Sequence, residues 1–286
     1  MKDLFGYEGE DKYLFSDRLI SPTRSPFLKE RLTVIFEGDS LESLENQVLD
    51  NHFAAEAFRV NYVQSEGMSE DYQERLRSTR VLGEAIDGDA DMRHPALQFG
   101  VTCVNGRWLF GEYERNTFHW HHHDNKPHTY SSSLNFRMAR ALANIAVGPD
   151  TGKTLIDPCC GVGTVVLEAL SMGIDARGCE INTPIAISAK KNLAFFSYPD
   201  VIIEGDMHDI RDHFDAAIVD IPYGLYQRTT AGEQSEIIRT ARRLCDRLVL
   251  VTFENMDAMI LEAGFRILDK ARVATGRIVR YVNVCE

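Results

Sequence analysis

Four carboxylates stand where apolar runs end in the C-terminal half. Asp157 closes 154–157, Glu180 closes 176–180, Asp206 follows 201–204 and Asp220 closes 214–220. Gly161 and Gly163 come soon after the first, and Pro222-Tyr223-Gly224 soon after the last. A carboxylate at a strand end accepts hydrogen bonds from a diol or an ammonium, attracts a cation and repels a phosphate. Asp220-Ile-Pro-Tyr-Gly224 suits a second task. An amine conjugated to a ring is a poor nucleophile because its lone pair is delocalised. A carboxylate and a backbone carbonyl that accept its two N–H bonds draw the nitrogen toward a tetrahedral, attackable form, which is positioning and charge placement with little need for a strong base. Asp220 supplies the carboxylate, and Pro222 keeps Ile221 extended so that its carbonyl can be aimed. Tyr223 offers a face on which a splayed base can stack, and Gly224 permits close approach. The plainer alternatives are strand-end acids that cap helices and an ordinary Asp-Pro turn.

Those residues need a sheet edge. The stretch 154–164, Thr-Leu-Ile-Asp-Pro-Cys-Cys-Gly-Val-Gly-Thr, predicts a short strand, a glycine turn and a helix with Val165, Val166, Ala169 and Leu170 inward. That order directs backbone N–H groups at a ligand at the carboxyl edge of an α/β sheet. Strands are predicted at 176–180, 201–204, 214–220 and 248–253, and helices from Thr183-Pro184, over 232–246 and over 256–263. Segments 265–272 and 277–285 are predicted as an antiparallel pair closing the sheet. The expected fold is an α/β, Rossmann-like doubly wound sheet with a C-terminal antiparallel hairpin. Upstream, strands at 32–36 and 58–63 and helices at 40–49 and 72–86 lead to 97–111, where Asn105-Gly106 predicts a tight hairpin turn. Residues 1–112 are therefore expected as a small α+β domain, 113–132 as a linker and 133–286 as the sheet domain, its first helix (133–145) capped by serines.

An acid at the second strand's end, 17 residues past Gly163, fits the ribose of a nicotinamide dinucleotide or of S-adenosylmethionine. The dinucleotide fingerprint wants a third glycine where this chain has Val166, and its turn does not begin Asp-Pro. A carboxylate in that turn suits the ammonium and sulfonium of S-adenosylmethionine. Asp206 then takes the adenine amine, with Met207 against the ring.

Formal charge is −12 over 286 residues, and both halves are acidic, which argues against sequence-blind electrostatic binding of nucleic acid. The first residues contain no apolar signal segment and no run approaches a membrane span. Six cysteines without a C-x-x-C pair read as reduced thiols, and the expected location is cytoplasmic, with no membrane. The aromatic and histidine-rich stretch around His119, His121, His122, His123 and His128 reads as partly solvated loop side chains, with RNA contact as an alternative. Metal is not expected, because no Cys or carboxylate completes a tetrahedral set. Residues 105–140 are locally basic, with aromatic residues interleaved as stacking on RNA requires. RNA contacts are expected from Arg115, Trp120, Lys126, His128, Tyr130 and, in the terminal hairpin, Arg277.

Asp157-Pro-Cys-Cys-Gly-Val-Gly-Thr164 together with Asp220-Ile-Pro-Tyr-Gly224 resembles the amino-group methyltransferases that carry a [DN]-P-P-[YFW] motif. With Lys126-Pro-His-Thr-Tyr-Ser-Ser-Ser133 ahead of its helix, the chain is similar to tRNA guanine-N2 methyltransferases that place a THUMP domain before a Rossmann-like catalytic domain. The likeness covers 113–255 and extends less closely to 72–111. Ile221 departs from the usual proline, and the N-terminal half is short and acidic for a THUMP module. The resemblance implies S-adenosylmethionine as cofactor, held by Asp157, Cys159, Gly161, Gly163, Glu180, Ile181, Asp206, Met207 and Asp220. It implies catalysis by Asp220, Ile221, Pro222 and Tyr223 on a base amine, guanine N2 in tRNA; some relatives need a small activating protein partner, and the sequence does not say whether this chain does. The alternatives are an N6-adenine methyltransferase on DNA or rRNA, a nucleotide-dependent oxidoreductase and an inactive RNA-binding protein.

Overall fold

The computed structural model of the chain describes every residue except 10, 65–70, 131–132, 223–228 and 276–277, and only the backbone of 275 and 278. Two compact units emerge: one is Glu8–Thr117, the other Met1–Tyr7 with Phe118–Glu286. The boundary falls later than 112 because the last strand of the smaller unit runs on to Arg115.

A short helix, α1 (Lys2–Phe5), belongs to the larger unit. Arg247 holds it there, donating to Asp3 Oδ1 at 2.7 Å and to Glu286 Oε1 at 2.9 Å. The smaller unit contains β1 (Glu30–Gly38), α2 (Leu41–Asp50), β2 (Phe58–Tyr62), α3 (Tyr72–Ala85), β3 (Leu97–Val104) and β4 (Arg107–Arg115). Its sheet has the order β1-β4-β3-β2, with β2 and β3 parallel and the other pairs antiparallel. Asn105 and Gly106 have φ of 52° and 79°, the left-handed pair a two-residue hairpin turn demands. Leu44, Val48, Phe58, Leu82, Val101 and Phe110 fill the core between the helices and the sheet.

The larger unit continues with α4 (Phe136–Val147), β5 (Thr154–Asp157), α5 (Thr164–Ser171), β6 (Asp175–Glu180), α6 (Thr183–Phe195), β7 (Ile202–Glu204) and β8 (Phe214–Asp220). It closes with α7 (Ala231–Leu244), β9 (Cys245–Thr252), α8 (Asp257–Glu262), β10 (Ile267–Thr275) and β11 (Ile278–Cys285). The seven strands lie in the order β10-β11-β9-β8-β5-β6-β7. The pairs among β5–β9 are parallel, and β11 runs antiparallel between β9 and β10. The doubly wound sheet and its terminal hairpin agree with expectation, although β10 extends through Thr275, past the expected break at 273. α4 starts at Phe136 and is capped by Asn135, whose side chain accepts the Met138 N–H at 2.8 Å, so the cap is not one of the serines.

The two sheet faces carry separate apolar clusters. Leu142, Val166, Leu193, Ile218, Val251 and Val282 share one with α4, α5 and α6, and Ile156, Val219, Ile238, Leu248 and Ile260 share the other with α7 and α8. Strand order reverses at β5, with β6 on one side and β8 on the other. In such sheets a crevice opens at that point outside the carboxyl ends of the strands. Among the described residues no helix is long and apolar enough to cross a membrane.

Candidate active site

A cavity of about 790 Å³ occupies that position in the larger unit. The turn after β5 gives it Asp157, Cys159 and Gly161, the end of β6 gives Glu180 and Ile181, and the turn after β7 gives Asp206 and Met207. Asp220, Ile221 and Pro222 enter from the end of β8, and Tyr130, Ser133 and Leu134 from the segment before α4. Every expected cofactor residue lines this space except Gly163, which caps α5 beside it. Tyr223 lies outside the described residues.

The turn is built for close approach. Gly161 and Gly163 have φ of 53° and 79°, which a β-carbon disfavours. A methyl on Gly163 would also sit 3.3 Å from the Ala189 β-carbon. The two Glu180 oxygens accept the backbone N–H of Gly161 at 3.0 Å and of Asn182 at 2.8 Å, tying the turn to the second strand. Each oxygen retains a lone pair for a ligand hydroxyl. Asp157 accepts the Cys159 N–H at 3.2 Å and is 5% exposed. Burial pushes its carboxyl up to about 8, with help from the charges of Asp220 and Glu180 and against the Cys159 N–H. Cys159 and Cys160 are pushed up too, chiefly by burial, so neither is an activated thiolate.

Burial also pushes Asp220 up to about 7, and the Arg280 charge works against it. Its Oδ1 is buried and has no hydrogen-bond partner among the described residues. Thr164 Oγ1, at the start of α5, is buried in the same condition. The Ile221 N–H donates to the Val251 carbonyl at 3.0 Å, and the Pro222 carbonyl accepts the Thr229 hydroxyl at 2.7 Å. α7 adds Gly232, Glu233, Glu236 and Ile237 to the lining, which the sequence reading did not pick out. Thr230-Ala-Gly-Glu233, a capping box in the structure, was the available signal for where that helix starts.

A second missed residue is Asn192 on α6, fully buried. Its amide nitrogen donates to the His128 and Val162 carbonyls, both at 2.9 Å, and its oxygen accepts the His128 N–H at 2.9 Å. One side chain therefore ties the segment leading to Tyr130 to the glycine turn. Asn192→Ala leaves buried backbone groups without partners, and we expect it to lower unfolding free energy by about 1–3 kcal/mol. Urea denaturation checks this; a midpoint equal to the parent's would show that the clamp is dispensable.

The histidine-rich stretch is partly solvated, with His119, His121 and His122 exposed and Trp120 and His123 buried. His119–Asn125 forms a 3-10 helix. Trp120 is 3% exposed, packed against Phe118, His121 and Phe136 and under the Arg140 guanidinium. His123 Nδ1 meets Glu168 Oε1 at 2.6 Å, while Arg140 donates to Glu168 Oε2 at 2.8 Å and to Ser171 at 2.7 Å. Burial draws the Arg140 guanidinium below its ordinary range against the pull of Glu168. Lys126 is buried as well and drawn down by desolvation, with Asp124 and Glu168 opposing. Trp120 and Lys126 are thus core groups, and neither presents a surface to RNA. Of the remaining expected RNA contacts, His128 is half-buried and Tyr130 lines the cavity. Arg115 is exposed at the end of β4 in the smaller unit, and Arg277 lies outside the described residues. Among the described residues no group of three or more His, Cys, Asp or Glu is placed to hold a metal ion.

A family model, "UPF0020: RMKL-like, methyltransferase domain", matches residues 124–276, more than half of the chain. The chain belongs to that family. The match spans the glycine turn, the strand-end acids and Asp220. Beyond the family, the chain is similar to the tRNA (guanine(10)-N2)-dimethyltransferase of Methanothermobacter thermautotrophicus, 27% identical over 229 residues that cover 73% of this chain and 66% of the relative. The enzyme of the same name from Pyrococcus abyssi is 24% identical over 210 residues, 67% of this chain and 63% of the relative. The chain thus spans slightly under two thirds of the length of these relatives. Among solved structures, TrmN from Thermus thermophilus aligns with a TM-score of 0.48 at 17% identity, covering 91% of this chain and 83% of that one.

Proposed function

We propose that the chain transfers a methyl group from S-adenosylmethionine to the exocyclic N2 amine of guanine in tRNA. The observation that carries this reading is the meeting, in one crevice, of the glycine turn with Asp220, whose buried Oδ1 has no hydrogen-bond partner among the described residues. An unused acceptor in that place fits an amine N–H.

The lining fits the donor. Asp157, Glu180, Asp206, Asp220, Glu233 and Glu236 line the space, and no Lys or Arg occurs among its described lining residues. Such a surface favours an ammonium and a sulfonium and disfavours a pyrophosphate, which speaks against the oxidoreductase alternative. When bound, S-adenosylmethionine supplies an electrophilic methyl group. Asp157 would face its positive charges, Glu180 would accept from the ribose diol, and Asp206, beside Met207, would accept from the adenine amine. Asp220 and the Ile221 carbonyl hold the two N–H bonds of the target amine and direct its lone pair outward. Tyr223 is assigned to stack on the base, and Tyr130 walls the same space.

The same acceptor pair serves adenine N6 equally well. The names of the two relatives support guanine in tRNA, with position 10 the first to test. The unit Glu8–Thr117 is assigned as a THUMP-like module that holds the RNA, with Arg115, His128 and Arg277 among its contacts and those of the catalytic unit. Incubation with labelled cofactor and separate pools of tRNA, rRNA and DNA, followed by nucleoside mass spectrometry, tests the reading. N2-methylguanosine from tRNA is the expected product; N6-methyladenine from any pool would replace guanine as the target. Titration with S-adenosylhomocysteine and with NAD separates the cofactor classes.

A further inference from the structure

We propose that Arg280, on β11, is a positioning residue for Asp220: held on the ring of Phe253, its guanidinium places a fixed positive charge on the Asp220 side of the crevice, favouring the carboxylate that accepts the target amine. This rests on the reading of Asp220 given above.

The placement follows from register. Asp220 pairs with Val251 on β9, and Val251 pairs with Val282 on β11. Ile218, Val251 and Val282 share one core cluster, which fixes the face. Asp220 and Arg280 each lie two residues along their own strand from one of these three, so both belong to that same face, and Phe253 follows directly after β9. Because β11 runs antiparallel, the step from Val282 back to Arg280 leads past the carboxyl end of β8, where the crevice opens. There the guanidinium carbon stands 5.2 Å from the centre of the Phe253 ring, and Arg280 is 7% exposed. A guanidinium on an aromatic face and under cover is a fixed positive charge.

Other acidic side chains share the crevice with Asp220. Asp157 and Glu180 approach from β5 and β6, Asp206 from the turn after β7, and Glu233 and Glu236 from α7. Tyr130, His208, Cys159 and Cys160 complete the titratable groups of the described lining. Burial raises the Asp220 carboxyl to about 7, and Arg280 supplies the opposing pull. Without that pull the group is more fully protonated at neutral pH, and a protonated carboxyl has lost acceptor capacity to its own O–H.

The test is a ¹³C-carboxyl NMR titration of the cofactor-free protein, with the Asp220 signal assigned by its loss in D220N. In Arg280→Met the Asp220 midpoint is expected to rise by about one pH unit or more, and in Arg280→Lys to stay near the parent's. In methyl-transfer assays the acid limb moves up by the same amount in Arg280→Met, and the rate recovers at high pH. An unchanged Asp220 midpoint in a folded Arg280→Met protein overturns the proposal, as does a rate loss that is uniform with pH. If Arg280→Met does not fold, Phe253→Leu, which keeps the charge and removes its platform, must raise the midpoint by a smaller amount; no change there overturns the proposal equally. A shifted midpoint in a protein that methylates no nucleic acid leaves the Arg280–Asp220 coupling standing and removes the assigned reaction instead.

Discussion

Asp220→Ala retains cofactor binding and loses methyl transfer, by about 10³-fold if the carboxylate acts as a preorganised acceptor for the reacting amine. Loss of fold does not account for that result. The Asp220 carboxyl is raised to about 7 in the folded protein, against an ordinary value near 3.9 when unfolded. For an acid shifted upward, the stability contributed below the unfolded pKa is lost as pH rises through the folded one. At pH 8 the parent carries that loss in full and the alanine variant does not. Asp220→Ala should therefore melt no lower than the parent at pH 8, apart from the cost of a small cavity. Single-turnover assays with saturating S-adenosylmethionine, alongside a titration with S-adenosylhomocysteine, check both halves. Undiminished methyl transfer would remove Asp220 from the chemistry.

The second large effect belongs to Asp157. Its carboxyl is raised to about 8, mainly by burial and further by Asp220 and Glu180. In the free protein at pH 7 it is mostly neutral, and a cation bound beside it draws the proton off. Binding of S-adenosylmethionine should then release protons near neutrality, and affinity should climb with pH until about 8. In Asp157→Asn that climb is reduced to the share of Asp220. At pH 8 the cofactor binds about 10–100-fold more weakly, the loss of one charge-assisted contact. The sign for stability is opposite. Asp157 costs the folded state progressively from about pH 4 to 8, so the free Asp157→Asn protein should melt several degrees higher than the parent at pH 8 and alike at pH 4. Calorimetry in two buffers of different ionisation enthalpy, with thermal melts at both pH values, measures all three. Weaker binding without any change in proton release would mean that Asp157 touches the ligand as a neutral group.

The turn, the strand-end acids and the Asp220 loop were legible in the sequence because each is a local pattern: a few apolar residues, an acid, and then glycine or proline. Parallel strands repeat that pattern along one edge, so four separate local signals converge on one place. Asn192 and Arg280 were not legible. Each acts through a partner that only the fold brings near, Val162 and His128 for one and Phe253 and Asp220 for the other. Glu233 and Glu236 reach the lining by the angle of α7, and periodicity says nothing of that angle. Trp120 and Lys126 were read as an RNA surface because aromatic and basic residues interleave there. Interleaving does not tell a face toward solvent from one toward a buried Glu168. Asn135 took the cap from the serines by sitting one residue before the helix, where its oxygen meets the Met138 N–H.

The carboxylate lining of the crevice has a further consequence for turnover. A surface of that sign grips a positive guest and relaxes its hold once the guest has surrendered its charge, as a sulfonium does on becoming a thioether. The spent molecule keeps its ammonium but holds one positive charge fewer, while a fresh one, with its sulfonium intact, competes on better terms. Exchange between rounds is biased forward by the same acids that set the site up, and added salt, by masking them, should lengthen the stay of neither but narrow the gap between the two.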